Sequence, residues 1–412
     1  MKTKLPGGYS FIFIFCISSF LFLSVFSCKK KSDDDCPVCP VVNSVTPASG
    51  KHGDTITISG KNFSSDFASQ TIKFNGKPVE TADILSGTTE QIRVRVPLKC
   101  GTGPVTVALD ADLFSEGGPV FTYITTQVVT VFAGTPGVSG NPSTTVSLGT
   151  AQFNSPGKLI IDNTGALCVL DVGNNKVKKF DASVNAFRTI STSLTTPRGL
   201  ALDKNDNLYF AQTSTGSPPY SCNVHQCIHG SFTSSSIRTF TLTNDGASVL
   251  DMACDPLLNP VVSVLNVFGD GGYLLRVHPI VNLGIDTIIL NGPFVNTICT
   301  QDSFLYVYHN LWIGAGTIHR ITRMNMYTYH SDTLADNVEC NGFFTTAMAV
   351  KDNTVYLGNS ASHQIYYLNS SGHLVAYLTT VFDGIGGMVF DANGDLYVSE
   401  SNQHCIKKIS NE

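Results

Sequence analysis

The chain has 412 residues, of which 42% are hydrophobic and only 14% are charged, and its formal net charge at pH 7 is −5. This hydrophobic share excludes an intrinsically disordered chain, and the 36 glycines and 18 prolines are too few for a collagen-like repeat. The lysines and arginines are scattered and form no basic patch, so we predict no nucleic-acid partner. The length allows two or three domains, each with a core of its own.

The N-terminus has the pattern of a signal peptide. Lys2 and Lys4 precede an apolar stretch, residues 11–26, which is shorter than the roughly 20 residues of a membrane-spanning helix and is typical of a signal h-region. The sequence Val25-Phe26-Ser27-Cys28 at its end resembles the lipobox of bacterial lipoproteins. The resemblance implies that residues 1–27 are removed and that Cys28 is lipidated. An uncleaved anchor with an incidental cysteine is the alternative.

Residues 28–40 are polar and are predicted to form a flexible tether. The acidic run Asp33-Asp34-Asp35 resembles the surface-export signal of some outer-membrane lipoproteins, which implies a location on the outer membrane at the cell surface. A plain solvated linker is the alternative. Cys36 and Cys39 have CxxC spacing, but no second pair follows at the distance of a zinc ribbon. We interpret them as a tether disulfide or as free thiols rather than as a redox centre.

Residues 41–125 alternate apolar and polar side chains on the two-residue period of half-buried strands. Turn sequences such as Asn75-Gly76-Lys77-Pro78 separate the short strands, and no helical period occurs, so a β-sandwich is predicted. Residues 42–47, 53–63 and 72–76 resemble an IPT/TIG domain. The resemblance implies an immunoglobulin-like fold that serves as a spacer or a protein-contact module and carries no catalytic residues.

Beyond residue 128, a short apolar strand closed by a polar residue recurs about every 46 residues, a spacing within the range of propeller blades. Turn sequences such as Ile161-Asp162-Asn163-Thr164-Gly165 precede several copies, and a degenerate sixth copy lies at 262–266. The pattern predicts a six-bladed β-propeller over residues 128–410. The clear copies end at Asp171, Gln212, His309, Asn359 and Glu400.

The copies resemble NHL repeats, on Pro156-Gly157 and Asp162 in the first copy and on Gly387 and Asp391 in the last. Residues 128–134 resemble the outer strand that ends an NHL blade, and the chain ends one strand short of a full blade. Pairing of these two strands would close the ring and remove two exposed sheet edges. We therefore predict an all-β protein in which an immunoglobulin-like IPT/TIG sandwich precedes a six-bladed NHL-type propeller.

Two long connections after the second strand of a blade, strand b, are predicted to form a ligand-binding face. One connection, residues 212–237, contains Tyr220, and the other, residues 309–318, contains Trp312, the single tryptophan of the chain. Aromatic side chains anchor binding sites, and both connections should leave the same edge of their blades. The predicted ligand-binding residues are Tyr220, His309, Trp312, Asn359 and Glu400.

The first of these connections also carries alternating cysteines and histidines. Cys222, His225, Cys227 and His229 superficially resemble a mixed Cys/His metal cluster. In an oxidising compartment, a disulfide between Cys222 and Cys227 explains the pattern better, so we predict that bond and keep His225 and His229 as the weaker metal alternative. NHL-like lyases bind metal through histidines around such a channel, but a single histidine stands among the five strand-b ends. We predict no metal and no cofactor.

Together these features predict a lipid-anchored binding protein at the cell surface rather than an enzyme. Resemblance to IPT–NHL lipoproteins near outer-membrane glycan-uptake systems implies a carbohydrate ligand or an outer-membrane partner protein. One alternative is a metal-dependent propeller lyase or hydrolase that uses His309, His225 or His229. The other is a protein-contact scaffold or adhesin. No Ser-His-Asp ordering, paired acidic site or phosphate loop stands out in the sequence.

Overall fold

The computed structural model describes residues 38–412, apart from 111–112, 116, 143–145, 192–193, 215–218, 243–246, 267–270, 279–283, 293, 313–316, 337, 339–344 and 360. The predicted signal peptide, Cys28 and Cys36 lie outside the described residues. The regular elements of the described part are β-strands and single 3-10 turns, and none is a helix long and apolar enough to cross a membrane. The predicted all-β fold is confirmed. Contacts divide the chain into a unit that ends at Ile124 and a unit from Thr125 to Glu412.

The first unit is a sandwich of two β-sheets. Its described strands are β1 (Val41–Thr46), β2 (Ser49–Gly50), β3 (Thr55–Lys61), β4 (Thr71–Phe74), β5 (Lys77–Pro78), β6 (Ile84–Gly87), β7 (Gln91–Arg95), β8 (Gly103–Ala108) and β9 (Val120–Tyr123). One sheet has the order β1-β3-β7-β6 and the other the order β2-β9-β8-β4-β5. Short 3-10 turns, Phe67–Ser69 and Thr81–Asp83, precede β4 and β6.

The two-residue period of these strands builds the core between the two sheets. Ile56 and Ile58 of β3 are fully buried, while the residues between and beside them are not. They belong to the same core cluster as Phe74 and Phe121 of the other sheet. The rings of Phe74 and Phe121 meet edge to face, with centroids 5.1 Å apart. The β-sandwich predicted from the alternation is therefore confirmed.

The second unit is a β-propeller of six blades, each a four-stranded antiparallel sheet whose strands a to d run from the channel outwards. The strands of blades 1 to 3 are β12 (Pro156–Ile161), β13 (Leu167–Asp171), β14 (Lys176–Asp181) and β15 (Ala186–Ser191), with β11 (Val146–Ser147) added outside; β16 (Pro197–Leu202), β17 (Leu208–Thr213), β18 (Ser221–Cys227) and β19 (Ser235–Thr241); and β20 (Ser248–Cys254), β21 (Pro260–Asn266), β22 (Gly271–Val277) and β23 (Ile285–Gly292).

Short 3-10 turns lie at Leu148–Thr150, before blade 1, and at Val172–Asn174, between its strands β13 and β14. Blades 4 to 6 continue the same strand pattern. Their strands are β24 (Phe294–Gln301), β25 (Phe304–Trp312), β26 (Thr317–Asn325) and β27 (Ser331–Ala335); β28 (Thr345–Lys351), β29 (Thr354–Asn359), β30 (Gln364–Leu368) and β31 (Leu374–Ala376); and β32 (Ile385–Phe390), β33 (Leu396–Glu400), β34 (Cys405–Asn411) and β10 (Gln127–Ala133).

The propeller is a closed ring. Each strand a contacts the strands a of the two neighbouring blades, and β32 of blade 6 contacts β12 of blade 1. The fourth strand of blade 6 comes from the beginning of the unit: β10 pairs antiparallel with β34, from Gln127 opposite Asn411 to Ala133 opposite Ile406. This is the pairing that the two terminal strand patterns predict. It satisfies backbone groups that would otherwise form two bare sheet edges.

Apolar clusters fill the spaces between neighbouring blades. Tyr209, Tyr306 and Tyr397 each precede by three residues the polar residue that ends the sequence copy of strand b, in blades 2, 4 and 6, and each is buried in such a cluster. Tyr356 occupies the same position in blade 5 and meets the ring of Tyr377 edge to face, with centroids 5.2 Å apart. Their recurrence in the sequence therefore reflects packing between blades.

Candidate ligand-binding site

Each of the six inner strands has a β-bulge near its first residue. A bulge kinks the strand and re-aims its side chains, and bulges are common beside binding sites. Each bulge contains two successive residues, and the strand registers align them from blade to blade as two layers around the channel. The outer layer is nearer the end of the propeller where strands a begin, and the inner layer lies deeper in the channel. The outer layer consists of Gly157, Arg198, Leu250, Asn296, Thr346 and Gly386. The inner layer consists of Lys158, Gly199, Asp251, Thr297, Ala347 and Gly387.

The channel opens into a cavity of about 430 Å³ at the end of the propeller where strands a begin and strands b end. This volume falls within the range of small-molecule sites, roughly 300–1,000 Å³. Hydroxyl, amide and charged side chains contribute to its lining, together with glycines. The polar lining residues are Ser155, Lys158, Arg198, Asp251, Asn296, Thr297 and Ser401.

Two glycines of the inner layer bring neighbouring strands close together. A Cβ on Gly199, which has a φ of +65°, would lie 2.6 Å from the backbone nitrogen of Met252, and a Cβ on Gly387 would lie 2.5 Å from the carbonyl oxygen of Gly157. Side chains do not fit at these positions without moving the backbone. Because these glycines belong to blades 2 and 6, neither blade beside Lys158 has a side chain in the inner layer.

Lys158 crosses the channel and forms the floor of the cavity. Its Nζ donates hydrogen bonds to Asp251 Oδ1 at 2.6 Å, to the Met252 carbonyl oxygen at 3.0 Å and to the Ile298 carbonyl oxygen at 2.9 Å. These three bonds use all the donors of an ammonium group and join blade 1 to blades 3 and 4. A second cavity of about 270 Å³ lies nearer the other end of the channel, and Lys158 lines it as well.

Asp251 is equally saturated. Its Oδ1 also accepts the backbone N–H of Met252 at 2.7 Å, and its Oδ2 accepts the Thr297 hydroxyl at 2.7 Å and the backbone N–H of Ile298 at 3.0 Å. The residue is buried. The floor is thus a neutral ion pair whose hydrogen-bonding groups are all engaged, which fixes the shape of the cavity.

The polar residues at the ends of strand b brace the loops around the cavity. Asp171, Gln212 and Glu400 each accept the backbone N–H of the residue 17 positions earlier, at 2.7, 2.8 and 2.8 Å, in the loop that leads into strand a. Glu400 is almost fully buried and pairs with Lys407 Nζ at 2.7 Å. These side chains hold the rim of the cavity and do not line the cavity.

Asn359 and His309 also take part in bonds within their blades. Asn359 Oδ1 accepts the backbone N–H groups of Ala361 at 2.9 Å and Ser362 at 3.0 Å, and His309 Nε2 lies 2.8 Å from Thr322 Oγ1. The prediction that strand b of blade 4 ends at His309 is wrong, because β25 continues to Trp312. Both residues are buried.

The predicted long connection over residues 212–237 is also wrong, because β18 and part of β19, strands c and d of blade 2, lie within it. Tyr220 precedes β18 and is partly buried against the apolar cluster between blades 2 and 3. Trp312 ends β25 and pairs through its backbone with Thr317, and its side chain lies outside the described residues. The structure therefore does not gather the five predicted ligand-binding residues at the cavity in the part that it describes.

The predicted disulfide between Cys222 and Cys227 is wrong. The two residues lie near opposite ends of β18, about 16 Å apart along an extended strand, whereas disulfide-bonded cysteines have Cα atoms within about 7 Å. Their odd separation also places the side chains on opposite faces of the sheet. Both are free and buried, and burial raises the pKa of both thiols. Cys39 of the tether is disulfide-bonded.

In the described part of the chain, His225 and His229 are not placed together as ligands of a metal ion. His225 lies within β18 and stacks on Phe210, with ring centroids 5.0 Å apart, and burial lowers its pKa. His229 is exposed in the turn after β18, where its backbone N–H donates to Asn207 Oδ1 at 3.0 Å. Among the described residues, no group of three or more His, Cys, Asp and Glu side chains is arranged to hold a metal ion.

The two cationic residues of the cavity, Lys158 and Arg198, are not among the residues that the sequence predicts for the site. Their signal is the proline that begins strand a in the first two repeats, in Pro156-Gly157-Lys158 and Pro197-Arg198-Gly199. The prolines and glycines follow the repeat pattern, whereas the charged residues beside them do not recur at one position of the repeat. A charge at the start of an otherwise apolar inner strand is the pattern that could have found the site.

Comparison with known proteins shows the folds of both units. Residues 40–123 match the family model of the IPT/TIG domain, as predicted. Similar solved structures include auxiliary nutrient binding proteins from Bacteroides ovatus ATCC 8483 (14% identity, TM-score 0.65) and Bacteroides thetaiotaomicron VPI-5482 (14%, 0.54), and a protein of unknown function from the latter organism (15%, 0.57). Each match covers 91% of this chain and 98% of the other. No curated protein matches the sequence.

Proposed function

We propose that this protein is a lipid-anchored binding protein that takes a saccharide-sized polar ligand in the cavity at the mouth of the propeller channel. The observation that carries the proposal is the cavity itself, about 430 Å³ in volume and lined by hydroxyl, amide and guanidinium groups. Such groups exchange hydrogen bonds with the hydroxyls of a sugar. The saturated floor and the braced loops fix the cavity before a ligand enters, which lowers the entropic cost of binding.

The similar solved structures and the other predicted segments of the chain support a binding role. Two of the similar solved structures are named auxiliary nutrient binding proteins, and we propose nutrient binding for this chain as well. Lipidation of Cys28 would hold the protein at the outer membrane, and the acidic run after it would direct it to the cell surface. The IPT/TIG domain would then serve as a spacer that carries the propeller. We also propose that the repeated units of the propeller are NHL repeats.

A bulky side chain in the cavity wall tests the binding site. Leu250 lines the cavity, so we expect Leu250→Trp to narrow it and to weaken oligosaccharide binding at least about 10-fold in isothermal titrations of the lipid-free protein. Leu257→Trp is the matched control, because Leu257 is exposed in the turn after strand a of the same blade, at the opposite end from the cavity. Absence of saccharide binding by the wild type, or equal effects of the two substitutions, would contradict the proposal.

The lipid anchor has a separate test. We expect wild-type protein to partition with the membrane fraction of the producing cells and Cys28→Ser to appear in the soluble extracytoplasmic fraction or to accumulate unprocessed, because acyl chains supply the membrane affinity. Cys100→Ser, at a buried thiol of the IPT/TIG domain, is the matched control and should stay with the membrane. Unchanged membrane retention of Cys28→Ser would exclude the anchor.

A further inference from the structure

We propose that the cavity selects a saccharide that carries a carboxylate group and that Arg198 binds this carboxylate. The inference rests on the proposed binding function. It adds the chemical class of the ligand and the residue that recognises it. Three observations carry it: the balance of charge in the cavity, the position of Arg198, and the geometry of a guanidinium group.

The charges that line the cavity leave one positive charge uncompensated. Lys158, Arg198 and Asp251 are the charged residues of its lining. Lys158 and Asp251 form an ion pair with Nζ and Oδ1 2.6 Å apart, and every donor and acceptor position of the pair is occupied by protein groups. Neither residue has a hydrogen-bonding position left for a ligand. The excess charge of the lining therefore resides on Arg198.

Arg198 is placed to meet a ligand. It lies in the outer layer, above the floor, and its backbone is fixed by pairing with Ala211 of strand b. Its neighbours in that layer are Gly157 and Leu250, which carry no charge. Arg198 is exposed, and no hydrogen bond or ion pair joins its guanidinium group to any residue that the structure describes. Arginine often pairs with a carboxylate through two parallel N–H···O bonds, and here that carboxylate would come from the ligand.

The geometry of the group favours a carboxylate over a neutral sugar. A guanidinium group presents N–H donors in a planar fork that matches the two oxygens of a carboxylate. One excess positive charge is neutralised by a single negative charge, as on a uronic acid residue. The hydroxyl groups of Thr297 and Ser401 donate to Asp251 Oδ2 and to the Gly384 carbonyl oxygen, and each can still accept a hydrogen bond from a hydroxyl of the same sugar. A sulfate ester also carries one negative charge but is tetrahedral, so the experiment includes it as a separate arm.

The experiment titrates the lipid-free protein with uronate trisaccharides, their methyl esters, which keep the sugar backbone but lose the charge, and sulfated trisaccharides. We expect the free acids to bind at least about 10-fold more tightly than the esters, as charge-assisted hydrogen bonds require. Arg198→Ala should weaken binding of the free acids about 10- to 100-fold and binding of the esters far less, and it should lose more affinity for the free acids than Arg198→Lys does. Lys204→Ala removes one positive charge from the exposed turn after strand a of the same blade, at the opposite end from the cavity, and should have no effect. Melting temperatures confirm that each variant is folded.

The outcomes separate this inference from the proposed function. Equal affinity for acids and esters, or an unchanged affinity of Arg198→Ala for the acids, would overturn the role of Arg198 while a binding function survives. Tighter binding of the sulfated arm would overturn the carboxylate assignment. Binding by none of the saccharides would remove the proposed function and this inference with it. Preference for the free acid that disappears in Arg198→Ala, but not in Lys204→Ala, would establish the inference.

Discussion

Replacing Asp251 by alanine is expected to lower the free energy of unfolding by about 3–5 kcal/mol, because it leaves the Lys158 ammonium group in the channel without its counter-charge. The substitution also removes the acceptor of the Thr297 hydroxyl and of two backbone N–H groups, those of Met252 and Ile298. Unsatisfied buried donors add to the cost. Urea denaturation of the wild type and of Asp251→Ala measures the difference.

A double variant distinguishes loss of the pair from loss of the residue. Lys158→Met together with Asp251→Leu removes both charges and leaves no unpaired ion, so we expect it to recover much of the stability that Asp251→Ala loses. If Asp251→Ala unfolds within about 1 kcal/mol of the wild type, the ion pair does not hold the channel floor together. Equal losses in the single and the double variant would show that side-chain packing, not charge, is what matters at this position.

Replacing Asp171 by alanine is expected to cost a similar amount, about 3–5 kcal/mol, because Lys178 is buried with it. Asp171 Oδ2 lies 2.6 Å from Lys178 Nζ, and the side chains are 0% and 4% exposed. The carboxylate also accepts the backbone N–H of Asn154 at 2.7 Å, and thus braces the loop at the cavity rim. In Asp171→Ala, the Lys178 ammonium group loses its counter-charge and keeps the Gln152 carbonyl oxygen, at 2.7 Å, as an acceptor.

The stability that Asp171→Ala loses should depend on pH in a defined direction. Burial lowers the pKa of Lys178 below its ordinary value of 10.5 even with Asp171 present. Without the carboxylate the pKa should fall further, so the unfolded chain binds more protons than the folded one between the lowered pKa and 10.5, and stability rises with pH in that window. We therefore expect the loss in Asp171→Ala to shrink from pH 7 towards pH 10. The exposed pair of Asp336 and Arg320 is the control, because Asp336→Ala should have a small effect. A loss that does not change with pH would contradict the account.

The fold could be predicted because its signals are local and repeated. Alternation with period two marks the half-buried strands of the sandwich, such as β3 and β7, and the recurrence of an apolar strand marks the blades. Closure could be predicted since the chain begins and ends the unit with single strands, which pair as β10 and β34. Blade 2 was harder, because its strand c, β18, carries cysteines and histidines that resemble a loop motif.

The site could not be predicted for two reasons. The residues that form it are distant from one another in sequence, and the role of a polar residue depends on which groups its side chain faces. Lys158 and Asp251 are 93 positions apart and meet only when the ring closes. Glu400 and Asn359 look like the end of a strand open to ligand, yet each binds backbone N–H groups of its own blade. A sequence shows that such a residue is polar but not which groups it faces.

The ligand is expected to bind at the mouth of the channel. A crystal structure of the lipid-free protein with a bound uronate trisaccharide would locate it. We expect density for the sugar in the cavity of about 430 Å³, with the carboxylate on the Arg198 guanidinium group and sugar hydroxyls towards Thr297 and Ser401. Density for the sugar on the outer surface of the blades, at Tyr220 or Trp312, with the channel mouth free of sugar, would contradict it.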